Sequence, residues 1–119
     1  MSMDPLDNWV VQVRKGVLEL AILNAIGARR RYGYDLVKEL VDSPLLGVTE
    51  GTVYPLLSRL RTQGLIATEL EESAEGPARK YYVLTRNGRK TLERMNAHFD
   101  QLVTDIAQRR AAPSSERKK

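Results

Sequence analysis

Three helix-length segments, two strand-like segments and one long closing helix, in that order, predict a mainly α fold with a small β-hairpin. Three observations carry this expectation. Apolar residues recur at steps of three and four within residues 9–26, 36–41 and 53–60. Two runs rich in β-branched, aromatic and aliphatic residues flank a polar stretch punctuated by Gly76 and Pro77. Between residues 92 and 106 the apolar steps are three, four, three and four, the a/d seam of a coiled coil.

The first helix follows Pro5, a residue suited to a helix start, and extends over residues 5–27. Trp9, Val13, Val17, Leu20 and Leu23 share one face. From Val17 onward Leu18, Ala21, Ile22, Ala25 and Ile26 make the other faces apolar too, which places this half inside the domain. Gln12, Arg14 and Lys15 leave the first half more exposed, and Gly27 with Arg29-Arg30-Arg31 closes the helix. A second helix begins near Gly33, turns Leu36, Val37, Leu40 and Val41 inward, and cannot continue through Pro44.

Thr49 is an N-cap for the third helix, whose stripe is Val53, Leu56, Leu57 and Leu60 and whose end is Gly64. Pro55 fits if Thr52 is the effective cap; otherwise a local distortion is expected. Strands are expected at 65–71 and 79–85, joined by a long loop over 72–78. The last helix starts after Thr85, a second N-cap, and runs to about residue 110 with Leu92, Met95, Phe99, Leu102 and Ile106 on its seam. Residues 111–119 read as a disordered basic tail.

A chain of 119 residues holds one compact domain, and 42% hydrophobic content fills a core. The charge balance, 19 Lys+Arg against 15 Asp+Glu, leans mildly toward a polyanionic partner. With no cysteine there is no disulfide, thiolate chemistry or cysteine-based metal site, and a reducing cytoplasm fits. The apolar stretch from Val17 to Ile26 is too short for a bilayer, and no signal-peptide pattern opens the chain, so a soluble protein without a membrane partner is expected. His98 is the only histidine and no catalytic constellation stands out, so neither an enzyme, a metal sensor nor a cofactor is expected.

Three helices followed by a hairpin is the order of a winged helix-turn-helix, in which the second and third helices form the helix-turn-helix and the third enters the major groove. Away from its stripe the third helix offers Thr52, Tyr54, Ser58, Arg59 and Thr62, with Arg61 nearby. Hydroxyl and guanidinium groups suit base edges and phosphates. Arg79 and Lys80, two adjacent cations after the hairpin tip, suit a phosphate row or minor groove, although Glu71, Glu72 and Glu75 oppose that reading.

At these residues the chain resembles the PadR family of bacterial transcriptional regulators. The matching segments are Arg14-Lys15-Gly16 with Leu18-Glu19-Leu20, then Tyr32-Gly33-Tyr34-Asp35-Leu36 and Thr49-Glu50-Gly51-Thr52-Val53-Tyr54-Pro55-Leu56-Leu57-Ser58-Arg59-Leu60. Gly64-Leu65-Ile66, Arg79-Lys80-Tyr81-Tyr82 and Leu84-Thr85 with Gly88 complete them. The resemblance implies a homodimeric repressor of the short branch, released by a small aromatic compound, with Tyr34, Thr52, Tyr54, Pro55, Ser58 and Arg59 facing DNA. The residues themselves add Thr49, Arg79 and Lys80 to the expected DNA-binding set.

Residues 1–85 then form the DNA-binding domain and 86–110 a dimerisation helix, with helix 5–27 also contributing to the dimer. The expected dimer interface comprises Trp9, Val13, Leu92, Met95, Phe99, Leu102 and Ile106, giving a two-fold dimer on an inverted-repeat DNA operator, against the alternative that the seam of the last helix packs on the first helix of its own chain. Trp9, Val13, Met95 and Phe99 are the expected lining of an effector pocket, against the alternative of a dry interface. The rival function is a winged helix used only for protein–protein contact, and binding to DNA across salt concentrations separates the two.

Overall fold

A helix apolar on nearly every side must be surrounded, and the computed structural model, which describes residues 4–110, surrounds α1 (Pro5–Ala28) along its second half. Leu18, Ile22, Leu23 and Ile26 are buried there. The Asp4 carboxylate caps the helix by accepting the Leu6 N–H at 2.9 Å. Gly27 is the penultimate residue of the helix, with Arg29 as its C-cap, and the absence of a side chain there admits Leu92 and Leu84 at its Cβ position. The tail expected at 111–119 falls outside the described residues.

A short strand follows that the sequence reading does not contain, β1 (Arg31–Tyr32). The hairpin is thereby a three-stranded antiparallel sheet of order β1-β3-β2, with Tyr32 opposite Tyr81 and Arg31 opposite Tyr82. The arginine run is only partly at the surface. Arg31 is buried and donates to Glu39 at 2.7 Å and to the Ala25 carbonyl at 3.4 Å. Arg30 lies on the back of the sheet with Glu71 at 2.7 Å.

Helices α2 (Gly33–Asp42) and α3 (Glu50–Thr62) bury Leu36, Val37 and Leu40 against Val53, Leu57 and Leu60. Thr49 is the N-cap residue of α3, and its carbonyl accepts from the Thr52 and Val53 N–H groups. The helix runs unbroken through Pro55, so Thr52 is not its cap and no break appears. The missing bond would have gone to the carbonyl of Gly51, which is exposed and can be hydrated instead. At the far end Gly64 adopts φ +79°, with Leu65 N donating to Leu60 O and Gly64 N to Arg61 O, a Schellman closure.

Strands β2 (Ile66–Ser73) and β3 (Gly76–Leu84) extend well into the segment read as loop, leaving a turn only at Ala74-Glu75. The Gly76-Pro77 signal does not mark a loop. Ser73 pairs with Gly76 and Glu71 with Arg79, so Pro77 and Ala78 stand opposite Glu72 alone in a bulge, where proline's missing N–H costs no ladder bond.

Helix α4 (Arg86–Arg110) starts at Thr85, whose hydroxyl accepts the Gly88 N–H at 2.9 Å and donates to the Gly64 carbonyl at 2.7 Å. One hydroxyl thus ties the start of α4 to the end of α3. Leu92 is buried in the chain's own core and Met95 packs against it. The expected interface role of Leu92 is therefore corrected: the seam's first turn is consumed within the chain because α4 lies on α1 there. Asn24 and Asn96 exchange two amide hydrogen bonds, at 3.0 and 2.9 Å, across that contact.

Candidate nucleic-acid interface

The buried side of α3 fixes what its other sides can present. With Val53, Leu57 and Leu60 inward, a rotation of 100° per residue turns Pro55, Ser58 and Thr62 outward. Tyr54 and Arg61 fall on one flank, and Thr52 and Arg59 on the other. The two flanks meet different neighbours.

On the first flank, Tyr54 and Ser58 join Tyr32, Gly33 and Tyr34 from the start of α2 and Lys80 and Tyr82 from β3 in an open cleft of about 340 Å³. A smaller recess beside it is lined by Leu57, Ser58, Arg61, Lys80 and Tyr82. Burial raises the Tyr82 phenol above its ordinary value. Neither Lys80 nor Arg61 has an ion-pair partner among the described residues. The cleft and the recess beside it therefore offer two free cations, Lys80 and Arg61, among phenol and hydroxyl donors, a surface suited to phosphates and base edges.

On the second flank, Arg59 donates to Glu19 of α1. Its guanidinium is held toward α1 instead of lying free on the outer face. Thr49 and Thr52 stand at the exposed start of α3, with their hydroxyls 3.4 Å apart.

Strand alternation separates the two cations that the sequence places side by side. Lys80 faces the cleft, whereas Arg79 lies on the back of the sheet, its guanidinium 5.0 Å from the centre of the Tyr32 ring. That back face is internally neutralised. Arg30 stacks on Tyr81 at 3.9 Å and binds Glu71 and Glu69, and the hydrogen bond from Arg30 holds the Glu71 carboxyl below its ordinary value. Of the wing acids, Glu71 thus pairs with Arg30 behind the sheet, together with Glu69.

Of the expected DNA-facing residues, Tyr34, Tyr54, Ser58 and Lys80 come together in one cleft, Pro55 lies on the adjacent outward face, and Arg59 and Arg79 point elsewhere. Tyr82 in the cleft and Arg61 in the recess beside it were not on that list, and Tyr32 borders the cleft while its ring meets Arg79 behind the sheet. Arg61 was legible, because 54, 58 and 61 follow helical steps of four and three.

The family model for the transcriptional regulator PadR-like family matches residues 22–94 of this chain. The chain belongs to the PadR-like family of transcriptional regulators. A PadR-like transcriptional regulator from Bacillus cereus has a solved structure that superposes with a TM-score of 0.76 at 36% identity, covering 86% of this chain and 99% of that one. A PadR family regulator from Eggerthella lenta gives a TM-score of 0.71 at 32% identity, covering 87% and 89% of the two chains. An uncharacterised protein of Lysinibacillus sphaericus is 28% identical over 96 residues, 79% of this chain and 82% of its own length. The PadR-like winged helix is thus the fold of this chain, and DNA-binding regulation, not catalysis, is the work of its family. Among the described residues no helix is long and apolar enough to cross a membrane.

The residues expected at the dimer and effector sites stay largely uncovered. Trp9 is 61% exposed, Val13 37%, Phe99 37%, Leu102 47% and Ile106 55%. Leu6 and Val103, absent from the expectation, share that exposure. Within one chain, α1 meets α4 around Asn24 and Gly27, opposite Asn96 and Leu92. Trp9 is fifteen residues from Asn24, roughly 22 Å along the helix. Met95, packed at the contact, and Trp9 therefore do not converge in one chain.

Proposed function

We propose that the protein is a homodimeric repressor whose two α3 helices read the half-sites of an inverted-repeat operator, and that a small planar aromatic compound releases it. The observation that carries the DNA reading is the cleft of Tyr34, Tyr54, Ser58, Lys80 and Tyr82, with Arg61 in the recess beside it, next to the outward face of α3. Tyr54→Ala is expected to weaken operator binding by about 1–3 kcal/mol and to reduce discrimination between sequences. Lys80→Ala is expected to weaken binding evenly across sequences and to lower the salt slope by about one. Gel shift with DNA from upstream of the protein's own gene, at several salt concentrations, makes the measurement. Undiminished affinity in both variants would remove this cleft as the reader.

The dimer reading rests on the exposed apolar residues at the start of α1 and the end of α4, since an isolated soluble domain gains by covering such residues. In a two-fold dimer Trp9 and Val13 of one protomer can reach Phe99 and the edge of Met95 of the other, and that junction is the effector pocket. A ligand there releases DNA only by binding the non-reading dimer geometry more tightly than the reading one. Trp9 is the only tryptophan, so its emission reports on this junction alone. Titration with planar aromatic compounds should quench Trp9 and lower operator affinity over the same concentrations. Quenching without any change in affinity would separate the pocket from regulation.

A further inference from the structure

Helix α1 is joined to the helix-turn-helix by more than its apolar face. The Arg14 guanidinium reaches across to the segment between α2 and α3, donating from Nε to the Leu45 carbonyl at 3.0 Å and from Nη2 to the Pro44 carbonyl at 3.1 Å. It lies flat on Gly47, whose φ is +55° and whose Cβ, if present, would stand 2.5 Å from the guanidinium carbon. That segment, residues 43–49, sets where α3 begins relative to α2. Five residues further along α1, Glu19 accepts from Arg59 on the flank of α3. One contact holds the segment that leads into α3 and the other the second half of α3. Both anchor to the same rigid helix.

We propose that Arg14 and Glu19 are positioning residues for DNA reading, fixing the angle of α3 against α1 so that Tyr54 and Ser58 meet base edges. This rests on the DNA-binding function proposed above. Base readout needs side chains placed to a fraction of an ångström, whereas phosphate attraction tolerates rotation of the helix. Loss of either contact therefore affects preference between sequences more than total affinity. Glu19 also neutralises Arg59, so its removal adds one positive charge beside the reading face and strengthens attraction to any DNA. Because α1 also carries Trp9 and Val13, displacement of α1 reaches α3 through these two contacts.

The test uses the full chain, with DNA from upstream of its own gene as operator and a scrambled duplex of equal length and composition as competitor. Glu19→Gln is expected to raise affinity for scrambled DNA severalfold while lowering the operator-to-scrambled ratio about tenfold. Arg14→Met, which keeps length and removes the donors, should lower that ratio about tenfold, and Arg14→Lys, which cannot bridge two carbonyls, by less. In a cycle of Glu19→Leu with Arg59→Ala, the losses in ratio should coincide instead of adding. A purely structural role would lower the thermal midpoint and leave the ratio of the remaining folded protein unchanged. If Arg14→Met or Glu19→Leu fails to fold, Arg14→Lys and Glu19→Gln decide alone. Folded variants with the wild-type ratio, or additive losses in the cycle, overturn the proposal. A wild type with no operator preference would instead remove the DNA-binding function beneath it, and that is read before any variant is made.

Discussion

Gly88→Ala is expected to cost about 3 kcal/mol or more of folding stability, lowering the thermal midpoint by roughly 10 °C or more. An added Cβ at Gly88 would stand 1.9 Å from the Leu65 carbonyl oxygen and 2.8 Å from its carbon. Both are backbone atoms, so no rotamer change relieves the overlap. Leu65 cannot retreat either, because its N–H closes α3 on Leu60 and its carbonyl accepts the Thr85 N–H. The start of α4 would have to lift away, breaking the Thr85 hydroxyl contacts with Gly64 and Gly88 and withdrawing Leu92 from the core. Gly16 supplies the contrast. It lies mid-helix, with nothing within 4 Å of a Cβ, and Gly16→Ala should instead stabilise by about 0.5–1 kcal/mol. Thermal unfolding of the two variants beside wild type makes the comparison. A Gly88→Ala midpoint within a degree or two of wild type would mean that α4 does not seat on Leu65 in solution.

The second large effect concerns assembly. Replacing Phe99 and Ile106 together by aspartate should convert the proposed dimer to a monomer at micromolar concentration and weaken operator binding by about 10²–10³-fold. Two linked half-sites bind far more tightly than either alone, and separating the protomers forfeits that gain. The fold should survive, because neither residue is in the core and α4 is held at Gly88, Leu92 and Asn96. Leu92→Ala makes the opposite control: it should cost about 2–4 kcal/mol of stability through a core cavity, while the surviving folded protein keeps its oligomeric state. Light scattering reads the first variant and thermal unfolding the second. A wild type that scatters as a monomer, or an aspartate variant that remains dimeric, would count against the helix-seam dimer.

The helices were legible because their information is local. Backbone geometry repeats every 3.6 residues, so Leu36/Val37/Leu40 and Val53/Leu57/Leu60 declare their buried faces from spacing alone, and Gly64 declares the end of α3 by tolerating a positive φ. Membership in the PadR-like family was legible for a related reason: the segment from Thr49 to Leu60 carries the cap, the proline and the exposed hydroxyls in one continuous run. Other features had no local signature. Two residues have no period, and β1 is a strand only because β3 presents an unpaired edge to Arg31 and Tyr32. The hairpin was read too short because Gly76 and Pro77 signal a turn wherever they stand, and only strand register shows that they occupy a bulge.

Side-chain partners at long sequence separation were equally hidden. Arg59 looks like a free cation until Glu19, 40 residues earlier, is brought beside it, and Arg30 does so until Glu71 arrives 41 residues later. Spacing of three and four likewise marked Leu92 as apolar but could not say which helix would cover it. The sequence by itself determined where each helix lies, which face of it is apolar and to which family the chain belongs, since those depend on neighbours one or two turns away. Only the tertiary structure decided that Lys80 and Arg61 stay free while Arg30, Arg31 and Arg59 are paired, and that the early part of the α4 seam belongs to the chain's own core. The physical reason is that charge pairing and burial act through space, between residues that the chain brings together only on folding.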